Sequence, residues 1–117
     1  MKTLNLSKEN KLRSANKQIT ISGKKAVKLL AEVEFMMISL RNIEKHYYYN
    51  EAASTQAGAL DRALETIRVI DEERFIRRLC KVRRLLSEHF DNRVGDDEKG
   101  DTERALENLP FWEKPGD

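Results

Sequence analysis

Proline is nearly missing from this chain: only Pro110 and Pro115 occur, both close to its C-terminal end. Nothing in the middle therefore blocks a long helix. Cysteine is reduced to a single residue, Cys80, which excludes an internal disulfide and points to a reducing, cytoplasmic compartment. Long apolar runs are also lacking. The longest, Phe35–Leu40, is interrupted by Ser39 and is far too short to span a membrane, and no apolar core of signal-peptide length follows Met1. The sequence holds no glycine-rich phosphate loop and no serine nucleophile elbow. His46 and His89 lie far apart, and Asp96, Asp97, Glu98 and Asp101 do not have calcium-loop spacing, so neither a metal nor a cofactor is expected.

What the chain does have is charge, and it is unevenly placed. Residues 1–28 carry eight Lys/Arg and one Glu, residues 29–90 carry ten of each sign, and residues 91–117 carry nine Asp/Glu against four Lys/Arg. The net charge of +2 hides a basic start and an acidic end. Such a chain can fold back on itself, pair head to tail with a neighbour, or meet two different partners. At 117 residues one domain with a modest core is expected.

Apolar spacing predicts two long helices. Over 60–90, Leu60, Leu64 and Ile67 step by four and three, and Phe75, Leu79, Val82, Leu86 and Phe90 do the same. This reads as one amphipathic helix, with a break in phase near Val69–Ile70. Its partner is expected over 23–49, capped by the Ser22 hydroxyl. There Ala26, Leu30, Val33, Met37 and Leu40 form one apolar line, flanked by Leu29, Met36, Ile43 and Tyr47. Met36 and Met37 read as core gap-fillers. Asn50–Gly58 is the expected turn, and similar helix lengths suit an antiparallel hairpin. Cys80, beside the second apolar line, reads as a small buried or half-buried hydrophobe. The competing reading is a thiol activated by Arg77 and Arg84.

The expected organisation is therefore a flexible basic arm over 1–22, a helical hairpin over 23–90, and an acidic tail over 91–117. A short helix is expected over Ser7–Lys17 in the arm, and another, capped by Asp101, through Asn108 in the tail. The tail also holds Leu109-Pro110-Phe111-Trp112. These large apolar groups either fold back over the end of the bundle or dock into a partner's groove, which makes Leu109, Phe111 and Trp112 candidate partner-binding residues.

Two constellations carry possible chemistry. Arg41-Asn42 followed by His46 resembles the RNxxxH motif of HEPN-family ribonucleases, and Tyr48 stands where some members carry tyrosine. The resemblance covers about eight residues and implies a helical dimer that cleaves RNA without metal. It would have His46 act on the 2′-hydroxyl or leaving oxygen, Arg41 stabilise phosphate, and Asn42 orient the site. An imidazole titrating near neutrality and a guanidinium are suited to those tasks. The alternative places Arg41 and His46 on a solvated face, with Tyr47 in the core. The second constellation is the band Arg74, Arg77, Arg78, Lys81 and Arg84, which could lie along nucleic-acid phosphates, or else form a solvated or intersubunit salt-bridge face.

The fold expected is all-α: an antiparallel pair of long helices plus a short C-terminal helix, completed as a four-helix bundle by homodimerisation, because two helices alone leave apolar surface in water. The expected function is a non-enzymatic cytoplasmic interaction or regulatory module (adaptor, inhibitor, chaperone or immunity-type) with a protein partner and no membrane association. The runner-up is the ribonuclease, and the third reading is a nucleic-acid-binding helical dimer.

Overall fold

The computed structural model describes residues 12–49 and 54–116. Those residues contain helices and turns and no strand. The chain divides into two compact units, one formed by Ile21–Leu85 and the other by Met1–Thr20 with Leu86–Asp117.

The first unit holds three helices that pack on one another: α1 (Gly23–Tyr48), α2 (Gln56–Glu72) and α3 (Phe75–Ser87, whose last turn crosses the boundary). As expected, α1 starts at Ser22, whose side chain accepts from the Lys25 amide at 3.2 Å. Thr55 caps α2 in the same way, accepting from the Gly58 amide at 2.9 Å. The expected turn therefore ends earlier than Gly58, and its residues Asn50–Ala53 lie outside those described.

The single helix expected over 60–90 is a correction. It is broken at Glu73–Arg74, four residues beyond the break in sequence phase. Glu73 ends α2 with its amide on the Val69 carbonyl. Arg74 then takes a left-handed conformation, φ 56°, and its carbonyl receives the Arg78 amide as the first bond of the next helix. One left-handed residue thus rotates the buried face without inserting a loop.

The two segments together still run antiparallel to α1. Tyr47, at the C-terminal end of α1, donates its hydroxyl to Glu65 of α2 at 2.6 Å. The Phe35 and Phe75 rings meet edge to face, with centroids 6.5 Å apart. Closer to the start of α1, Glu32 receives Arg78 and Lys81, each at 3.1 Å. The expected direction and length of the hairpin are therefore present, with α2 and α3 sharing the second rod.

The expected core of α1 is displaced. Leu29, Met36 and Ile43, seven residues apart, are the buried apolar groups of α1, while Leu30, Val33 and Met37 are exposed. The flanking line, not the main one, faces the partner helices. Phe75 is the fourth buried apolar residue among those described, a thin core for three helices.

The second unit is knit by polar groups. A 3-10 turn at Ser14–Asn16 replaces the described part of the helix expected over Ser7–Lys17; Ser7–Lys11 lies outside the described residues. The short helix α4 (Asp101–Leu106) forms, but Asp101 does not cap it. Gly100 is the capping position, and the Asp101 carboxylate is buried to 1% exposure. It accepts from the Arg13 amide at 2.6 Å, from Asn16 Nδ2 at 2.9 Å and from Arg104 Nη1 at 2.9 Å. Arg13 Nε adds an ion pair at 3.3 Å. Arg104 also grips both oxygens of Asp97, at 2.8 and 2.9 Å.

Candidate functional site

The feature of the three-helix unit that calls for a function is the orientation of α2. At 100° per residue, Gly58, Glu65 and Val69 share one side of this helix, and Leu60, Leu64 and Ile67 lie roughly 150° away from it. The first set is buried or half-buried, and it includes the Glu65 carboxylate bonded to Tyr47 of α1. The second set is 58%, 55% and 63% exposed. α2 thus uses its small and polar side against α1 and presents its strongest apolar line to water. On α1, Val27, Leu30 and Ile38 are exposed as well. A helix apolar around most of its circumference ordinarily has neighbours on more than one side.

Arg41, Asn42 and His46 all lie exposed on the last turns of α1, and Tyr48 is exposed beside them. Asn42 and His46 share one side of the helix, whereas five residues rotate Arg41 about 140° from His46. Within one chain the two do not converge. The His46 ring meets Tyr47 edge to face at 4.9 Å. Tyr47 is half-buried, and its bond to the Glu65 carboxylate, with partial burial adding to it, raises its hydroxyl above the usual tyrosine range. A recess of about 210 Å³ opens where α1 meets the start of α2, lined by Glu44, Tyr47, Tyr48, Gly58, Ala59 and Arg62. It includes none of Arg41, Asn42 and His46.

The arginine band is divided by its surroundings. Arg78 is half-buried, with its guanidinium carbon 4.0 Å from the centre of the Phe35 ring and its Nη1 on Glu32. Lys81 holds the other oxygen of the same carboxylate. Lys81 first and Arg78 second pull the Glu32 carboxyl below its ordinary pKa, against a smaller opposing effect of burial. Arg74, Arg77 and Arg84 are exposed. Arg78 and Lys81 thus share one carboxylate of α1 within the unit.

Cys80 is exposed rather than buried, with Arg83 Nη2 3.8 Å from its sulfur. Leu109 is at the border of exposure, and Phe111 and Trp112 are 72% and 75% exposed. Among the described residues no three His, Cys, Asp or Glu side chains gather as a metal site, and no helix is long and apolar enough to cross a membrane.

Sequence reasoning missed two groups: the buried Asp101 cluster and Glu32. Asp101 stood out as a possible helix cap and as one of an acidic group without calcium-loop spacing, and Glu32 was not singled out. No protein-family model matches the sequence, and neither a curated protein nor a solved structure matches it.

Proposed function

We propose that this chain is a small, non-enzymatic cytoplasmic interaction or regulatory module that acts as a homodimer. The observation that supports this reading is the apolar line Leu60, Leu64, Ile67 on α2, which faces water along about two turns while the helix packs on α1 through its opposite side. Three large aliphatic groups in one row represent burial energy left unused, at roughly 1.5–3 kcal/mol for each fully covered side chain. A second copy would complete a bundle of two hairpins and cover that row. The exposed Phe111 and Trp112 supply a separate apolar element for a protein partner.

The test is the mass of the intact chain in solution by light scattering, with Leu64→Glu as the interface variant and circular dichroism as the check on folding. The reading predicts twice 13.6 kDa for the wild type and a helical species of chain mass for the variant. A wild type that remains at chain mass across the micromolar range contradicts it.

A further inference from the structure

We infer that the second copy docks α2 against α2 in antiparallel orientation, with Asp61 of each copy meeting Arg68 of the other. This rests on the homodimeric reading and adds to it the face, the polarity and the charge pairs.

Ala57, Leu60, Leu64, Ile67 and Asp71 follow one another at intervals of three, four, three and four. That is the spacing of a coiled-coil seam, in which alternate positions of one helix insert between those of another. Asp71, the polar residue at the fifth position, sets the seam's length. All five residues are exposed. The seam is therefore complete in sequence and unoccupied by the chain's own helices among the described residues.

The flanks of the seam decide what covers it. On one side stand Asp61 and Arg68, two turns apart. Both are exposed, and neither has an ion-pair partner among the described residues. On the other side stand Gln56, Ala63 and Ile70, none of them charged. A two-fold axis makes each contact occur twice, residue i on j and j on i. In an antiparallel pair, the flank bearing Asp61 and Arg68 meets the same flank of the other copy. With Leu64 of one helix beside Ile67 of the other, Asp61 approaches the opposite Arg68 at both ends. A parallel pair would instead set this charged flank against the uncharged one and leave all four charges without partners. The patch is thus complementary to itself in one orientation only.

Charge exchange tests this in the full chain. Dimer dissociation constants are measured by sedimentation equilibrium for wild type, Asp61→Arg, Arg68→Asp and the double exchange, with circular dichroism confirming equal helicity. Each single exchange replaces two attractions with two repulsions, so each is expected to weaken the dimer about tenfold at low salt. The double exchange restores opposite charges and is expected to return the constant to within a few-fold of wild type. Molar salt is expected to erase the differences. A dimer unaffected by the single exchanges, or not rescued by the double, overturns the α2 pairing while leaving the homodimer in place. A wild-type monomer overturns both.

Discussion

Asn16 holds the backbone of Asp91 from both sides, as a neighbouring strand would. Its Nδ2 donates to the Asp91 carbonyl at 2.8 Å, and its Oδ1 accepts from the Asp91 amide at 2.7 Å. The same Nδ2 reaches Asp101 at 2.9 Å. One side chain near the start of the chain thus organises the segment that leads into α4. Within the described part of the basic region, Asn16 and the Arg13 pairs with Asp91 and Asp101 make the ties to the acidic region.

Replacing Asn16 with alanine leaves the Asp91 amide and carbonyl short of partners and removes a donor from a buried carboxylate. A cost of about 1–3 kcal/mol is expected. Hydrogen exchange read by mass spectrometry should show the loss over 88–106, with protection in the buried turns around Leu29–Ile43 unchanged.

Acid should loosen this unit. The Arg104 guanidinium beside Asp97 holds that carboxyl far below the usual aspartate range. The Arg93 side chain and amide lower Asp91. Burial alone would push Asp101 up, but bonds from Arg13, Asn16 and Arg104 outweigh it, and its pKa is lowered. Groups with depressed folded pKa values contribute stability above their unfolded value, near 3.9 for aspartate, and lose it as pH falls through the folded values. Thermal melts should be flat from pH 7 to about 5 and fall below about 4. Asp101→Asn should melt lower at pH 7 and respond less to acid. A variant with the wild-type acid response would contradict the role given to Asp101.

Arg74 sits at φ 56°, a region that carries a steric cost for a residue with a Cβ. Arg74→Gly should relieve it and raise stability by about 0.5–1 kcal/mol, a few degrees in melting temperature. If the break were instead a strained point in a continuous helix, glycine would lower the melting temperature and the helicity.

Glu32 neutralises two members of the arginine band. Glu32→Ala should cost about 1 kcal/mol, as a partly buried pair with two cations does. It should also release Lys81 and leave Arg78 with only Glu73 as an acidic partner among the described residues, so the variant should elute from heparin at higher salt than wild type. Unchanged elution would mean that the band does not face polyanions even when unpaired.

The parts of the fold that follow from local chemistry were legible in the sequence. Ser22 caps α1 where a hydroxyl precedes the apolar spacing, and the antiparallel direction follows from a short turn between helices. The break at Arg74 was not legible, because a left-handed link is ordinarily signalled by glycine or asparagine, and here arginine fills it. The buried side of α1 was misread because that helix is apolar around most of its circumference, so periodicity names several faces without ranking them. Asp101 looked like a helix cap because acids favour the first turn of a helix. Two of its three partners, Arg13 and Asn16, lie more than eighty residues away, and no local pattern encodes them. For the candidate site, the row Leu60, Leu64, Ile67 was visible as apolar, but its exposure depends on which side of α2 meets α1. The Arg41–His46 pair looked close in sequence, and helix geometry turns the two apart.

The central claim is that a second copy covers the α2 seam, and a spin label beside that seam tests it most directly. With Cys80 replaced by serine and a nitroxide placed at Ala63→Cys, dipolar spectroscopy reads the distance between labels on different copies. Antiparallel helices packed 8–10 Å apart should bring the labels within about 25 Å. The absence of dipolar coupling between copies, or a distance beyond about 40 Å for helices in that arrangement, would contradict the account.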